Sequence, residues 1–261
     1  MNRWRISILV AAALSIATIT SAAVKTREVE YLQDSTKLHG FLAWDDAVKG
    51  KRPGVLVVHE WWGLNEHARN QAERLARAGF VGFALDMYGD GKVTTHPQDA
   101  QTFAAEATKD PEVEAARFNA ARAQLEVDPH VDARHIGAIG YCFGGGVVLE
   151  MARRGADLGA VATFHGSLAT QRPAEPDKVK APILVMTGTD DPFVTPDQVA
   201  KFESEMKAAG ANFRVICYPG AKHGFTNPDA AKYGMPQLAY NASADRKSWA
   251  AMVAMFRKDL K

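Results

Sequence analysis

The stretch "HIGAIGYCFGGGVVLEMA", His135 to Ala152, decides the fold. Ile136 to Tyr141 is an apolar run of strand length, and from Gly144 to Arg154 the pattern becomes helical. Between them Gly140-Tyr141-Cys142-Phe143-Gly144 has the G-x-nucleophile-x-G form of a sharp strand-to-helix corner. Such a turn is too tight for side chains two residues either side of its apex, so glycines stand there. The apex residue is pushed into strained backbone angles and its side chain stands clear. At a helix start the Cys142 sulfur faces free N–H groups, and the Phe143 N–H points where a tetrahedral oxyanion would form. A glycine-rich turn with an incidental cysteine has the same local string, so the rest of the chain has to arbitrate.

Working outward, short apolar runs alternate with longer helical patterns. Val55–His59, Val81–Leu85, Ile136–Tyr141, Ala160–Phe164, Ile183–Thr187 and Phe213–Tyr218 read as strands. They are almost continuously apolar, as in a parallel sheet covered on both faces. Helices are expected over Glu66–Ala78, Gln98–Ala107, Pro111–Glu126, Gly144–Arg154, Pro196–Ala209 and Ser243–Lys258. Glu28–Tyr31 and Leu38–Ala43 flank the polar "QDSTK" and suggest an antiparallel N-terminal hairpin. The expected fold is therefore α/β: a mostly parallel, doubly wound sheet with helices on both faces, in one domain over residues 24–261. Ligands of such sheets bind outside the carboxyl ends of the strands.

An acid and a histidine follow at those ends. "ILVMT" leads into "GTDDPFVTP", placing Asp190 and Asp191 just past a strand, and "FRVICY" leads into "PGAKHGF", placing His223 after the last one. Nucleophile, acid, histidine is the chain order of the α/β-hydrolase fold. In that reading His223 takes the thiol proton and an aspartate holds its tautomer.

"HEWWGLN" (His59–Asn65), "GYCFGG" (Gly140–Gly145), "FHGS" (Phe164–Ser167), "GTDDPFV" (Gly188–Val194) and "HGFTNP" (His223–Pro228) together resemble the dienelactone hydrolase family of α/β-hydrolases. The resemblance implies an ester or lactone hydrolase with Cys142 as nucleophile, Asp191 as triad acid and His223 as base. It also implies that Glu60 touches the resting thiol and that the Trp61 N–H completes the oxyanion hole with Phe143. The family's prototype grips an anionic lactone with two arginines. Here the corresponding segments, "LDMYGDGK" and "FTNPDA", contain none, and Lys92 or Lys222 lacks the bidentate guanidinium geometry. A neutral ester, lactone or thioester is the expected substrate. Asp90–Ala116 and Asn227–Ala242 are expected to arch over the strand ends, with Trp62, Tyr88 and Phe225 as candidate lining residues. His165 is read as structural.

The 261 residues carry a net charge of +1 with interspersed signs, which speaks against a nucleic-acid surface or a polybasic membrane patch. A small-molecule substrate is expected, with no cofactor, no metal and no obligate protein partner; no HExxH or paired Cys/His spacing is present. Arg3 and Arg5, the apolar stretch Ile6–Thr20 and the small residues Ser21–Ala23 read as a signal peptide over residues 1–23, so the mature chain is expected in the periplasm or outside the cell, with no lasting membrane association. An uncleaved anchor is the alternative. Of the two cysteines, Cys217 lies in a β-branched and aromatic run that reads as a buried strand.

Two other functions share the local string. A glutamine amidotransferase has a similar cysteine corner but expects a glutamine where Gly146 stands and a late His-x-Glu, which "HGF" does not supply. A non-catalytic or redox protein on the same fold would have Cys142 oxidised or tied to Cys217.

Overall fold

The computed structural model describes residues 24–261; the expected leader, residues 1–23, lies outside the described residues. The chain opens with β1 (Val24–Gln33) and β2 (Thr36–Asp45), an antiparallel pair in register from Val24 opposite Asp45 to Gln33 opposite Thr36. Then come β3 (Arg52–Val58), α1 (Glu66–Arg77), β4 (Val81–Leu85), α2 (Pro97–Lys109), α3 (Pro111–Glu126), β5 (Val131–Tyr141) and α4 (Phe143–Arg153). β6 (Val161–Phe164), β7 (Ile183–Gly188), α5 (Pro196–Ala208), β8 (Phe213–Tyr218) and α6 (Ala242–Asp259) complete the order. The eight strands form one sheet in the order β1-β2-β4-β3-β5-β6-β7-β8. β2 joins β4 antiparallel, and every neighbouring pair from β4 to β8 is parallel.

The period-2 geometry of β3 sends alternate side chains into two cores. Leu56 and Val58 join Phe118 and Leu125 of α3, Val148 of α4 and Phe202 of α5 on one face. Val55 and Val57 join Leu75 of α1 and Met252 and Phe256 of α6 on the other. Burial on both faces explains the uninterrupted apolar reading of β4, β6 and β7. The helix ends follow local chemistry. Asn65 caps α1 by accepting from the N–H groups of His67 and Ala68, and Thr195 with Gln198 forms a reciprocal cap on α5.

β8 departs from the reading as a buried strand. It is the open edge of the sheet, most of its residues are partly or fully exposed, and Cys217 is an exposed free thiol. Its apolar residues pack on the two cores, Phe213 and Val215 on one face and Ile216 and Tyr218 on the other. β5 starts five residues earlier than its apolar run, at Val131, with an irregularity opposite Pro53 and Gly54.

Candidate active site

Cys142 occupies the corner between β5 and α4 with φ +52° and ψ −114°, a conformation that costs about 1–3 kcal/mol and survives only where the surroundings impose it. They do so through the backbone. The Cys142 N–H donates to the Phe164 carbonyl at 3.1 Å, the Cys142 carbonyl accepts from Gly145 at 3.0 Å and from Ser167 at 3.3 Å, and the Gly144 N–H donates to the His59 carbonyl at 3.1 Å. A Cβ on Gly140 would lie 2.0 Å from the Gly144 carbonyl oxygen, and one on Gly144 would lie 2.4 Å from that of Val58. Glycine is a steric requirement at both positions.

β7 delivers the acid and β8 the histidine. Asp191 Oδ2 accepts from His223 Nδ1 at 2.8 Å, while Oδ1 is held by the N–H groups of Phe193 at 2.8 Å and Val194 at 3.2 Å. Asp190, which the strand-end reading left as an alternative acid, is exposed and bonds Thr189 instead. Both Asp191 and His223 are buried. Burial alone would lower the basicity of His223; the charge on Cys142 and the hydrogen bond to Asp191 outweigh it, and the imidazole is raised well above its usual range. The geometry thus favours the protonated imidazole of His223 between Cys142 and the Asp191 carboxylate.

Cys142 and His223 share a cavity of about 260 Å³ with Trp61, Ala104, Phe143, Ser167, Phe193, Val194 and Leu238. Ala104 and Leu238 come from the two segments expected to arch over the strand ends. None of these lining residues is an arginine or lysine. Lys222 is turned away to the Pro236 carbonyl, and Lys92 lies over the Phe103 ring. Phe143 is the first residue of α4, so its N–H has no partner within the helix. Trp61, three residues past the end of β3, also lines the cavity.

Three candidate lining residues are absent from this cavity because they are packing elements. Trp62 is 1% exposed and stacks on Tyr233 with ring centroids 3.8 Å apart. Phe225 is fully buried against His165 and Tyr218. Tyr88 lies under the site, its ring against Phe143 and its hydroxyl donating to the Trp61 carbonyl at 3.0 Å. Asp86 fixes the loop that carries Tyr88 by accepting from the N–H groups of Tyr88, Gly89 and Gly91.

Glu60 is buried at the strand end, but its bond goes to Asn227, whose Nδ2 donates to Oε2 at 2.7 Å. Among the described residues no hydrogen bond joins it to Cys142. The amide of Asn227 takes the place expected for the thiol as the partner of this carboxylate. His165 is buried with φ +42°, its Nε2 2.8 Å from Thr226 Oγ1, and burial followed by the neighbouring His223 charge pushes its basicity well below normal. It stays neutral beside the imidazolium. No group of three or more His, Cys, Asp or Glu side chains suited to a metal stands among the described residues.

His59 was missed by sequence reasoning. Its Nδ1 lies 2.5 Å from the Glu60 carbonyl, on the peptide whose other end is the Trp61 N–H. Its Nε2 accepts from the Met87 N–H at 3.2 Å, which assigns the proton to Nδ1, and burial keeps the ring neutral. The ring therefore orients the Glu60–Trp61 peptide, whose N–H is the one the resemblance implies for the oxyanion hole. A polar residue closing an apolar strand next to Glu60 was the only signal.

The profile of the dienelactone hydrolase family matches residues 38–260. The chain belongs to the dienelactone hydrolase family. Protein usf of Aquifex pyrophilus is 29% identical over 238 residues, spanning 89% of this chain and 98% of that one. The Aquifex aeolicus protein named "Putative carboxymethylenebutenolidase" is 30% identical over 239 residues, with 89% and 98% covered. The crystal structure of a dienelactone hydrolase-like promiscuous phosphotriesterase from metagenomic libraries superposes with a TM-score of 0.87 at 36% identity, over 92% of this chain and all of that one. These likenesses run along the whole described α/β-hydrolase fold of this family member.

Proposed function

We propose that this protein hydrolyses a carboxylic ester, lactone or thioester of a small molecule through Cys142, Asp191 and His223. The observation that carries the reading is the 2.8 Å bond between Asp191 and His223, with His223 and Cys142 in one cavity at the carboxyl ends of the strands. The sulfur anion attacks the carbonyl carbon, and the N–H groups of Trp61 and Phe143 receive the oxyanion. Collapse breaks the bond to the leaving group, to which the His223 imidazolium gives its proton, and an acyl-thioester remains on Cys142. Water, deprotonated by His223, then attacks the thioester; the carboxylic acid leaves and the thiolate–imidazolium pair is restored. Asp191 holds the Nδ1–H tautomer throughout.

The apolar walls around Cys142 support an uncharged acyl portion next to the scissile bond, in place of the anionic lactone gripped by arginines. Two free cysteines speak against the redox alternative in which Cys142 is tied to Cys217. Turnover of p-nitrophenyl acetate tests the mechanism: it should vanish in Cys142→Ala and His223→Ala and persist in Cys217→Ala. Retained activity in Cys142→Ala rejects the nucleophile. We also propose export through the basic, apolar and small segments of residues 1–23; an N-terminus at Met1 on protein recovered from cells would reject cleavage.

A further inference from the structure

A second recess of about 380 Å³ adjoins the catalytic cavity, and Phe143 and Ser167 line both. It follows one face of α4, where Phe143, Gly146, Val147 and Glu150 succeed each other at helical spacing. At ~1.5 Å of rise per residue its far end lies about 12 Å along the axis from Cys142. The charged residues lining it are Glu114, Glu150 and Arg172. Glu150 is answered within the protein: the Thr170 hydroxyl donates to Oε2 at 3.1 Å, and Arg172 Nε lies 3.5 Å from Oε1. Glu114, on the first turn of α3, is not. It is 4% exposed, and its carboxylate has no hydrogen bond or ion pair with any described residue.

We propose that this recess receives a cationic arm, an ammonium group, of the substrate whose carbonyl sits at Cys142. A largely covered carboxylate that lines an open recess and has no protein partner favours a cation, and a counter-charge brought by the ligand offsets the cost of its partial burial. Burial, and after it the Glu150 charge, pushes the Glu114 carboxyl up to about 7, with Arg172 and Arg154 acting the other way. An arriving ammonium favours its ionised form. The substrate is then apolar at the scissile bond and positive about two helical turns away, the opposite of a carboxylate-bearing lactone.

The proposal rests on the hydrolase reading, and one experiment separates the two. Two p-nitrophenyl esters are compared, with acyl chains of about ten atoms, the span of two helical turns, ending in a methyl group or a primary ammonium. Wild type should prefer the ammonium ester by about tenfold in kcat/KM, the scale of one charge-assisted hydrogen bond. In Glu114→Gln the ratio should fall to about one. In Arg172→Ala, which removes the opposing charge from a half-exposed position, it should rise. Taking the ratio within each variant cancels any general loss of activity. Equal turnover of both esters by wild type, or a preference that survives Glu114→Gln, overturns the cationic arm and leaves the hydrolase reading standing. If no ester shows Cys142-dependent turnover, the hydrolase reading falls, and the arm with it.

Discussion

Cys142 stands at the corner between β5 and α4, mid-sheet, with φ +52° and four backbone bonds fixing it in place. Cys217 lies in extended backbone on β8, at the open edge, with an exposed side chain. The chemistry of the two side chains is identical. One faces a buried histidine held by a buried aspartate; the other faces solvent beside Glu203, in a shallow groove. In the proposed mechanism, exposure is therefore not what selects the nucleophile. The more accessible thiol has no base, no oxyanion donors and no strained presentation, while the less accessible one has a cavity that brings all three to the same point.

The comparison can be broken most sharply by alkylation. Iodoacetamide on Cys142 should abolish ester turnover, and on Cys217 should leave it intact, which peptide mapping against residual activity will read; loss of activity tracking Cys217 would invert the assignment. Asp191→Asn removes what sets Cys142 apart without touching sulfur, and kcat should fall by about 10³-fold as the tautomer is lost. His59→Leu should lower kcat by about ten- to a hundredfold with little change in KM, because only the oxyanion-bearing peptide is released; His59→Asn, which keeps an amide donor, should recover part of it. The smallest effect concerns pH. Although the side chain is exposed, partial desolvation by the surrounding groove, and then the Glu203 charge, pushes the Cys217 thiol up. At pH 8 it thus carries less thiolate than a free cysteine, and its labelling should be slower and climb about tenfold per unit as pH rises toward its ionisation.

What the residues made legible was what local chemistry determines. The glycine-cysteine-glycine corner, the strand and helix alternation and the strand-end positions of Asp191 and His223 are each visible within a few residues of chain. The exposure of Cys217 was not, because an apolar strand reads alike at the centre and at the edge of a sheet, and only the order β6-β7-β8 makes it the border. Trp62, Tyr88 and Phe225 stand in loops beside the site, but the direction each ring takes depends on partners 7 to 171 residues away: Tyr233, Phe103 and Phe143, and His165 and Tyr218. The bond from Asn227 to Glu60 spans 167 positions and leaves no local trace. Glu114 lies inside the helix expected over Pro111–Glu126 without any signal of its own, and its place in the recess arises only when α3 is laid beside α4.

His223 is borne by the loop that leaves β8, the strand with a neighbour on one side alone. What ties that loop down is a latch of main-chain bonds, Ala239 N–H to the His223 carbonyl at 3.1 Å and Asn241 N–H to the Phe225 carbonyl at 3.0 Å, drawn from a segment just before α6. The histidine of the proposed triad is thus mounted on the margin of the molecule and the cysteine in its middle. On warming, margins open at lower free energy than centres. For the proposed triad, activity is therefore expected to end when the border frays, before the core around Cys142 unfolds, which would make the working temperature a property of the rim.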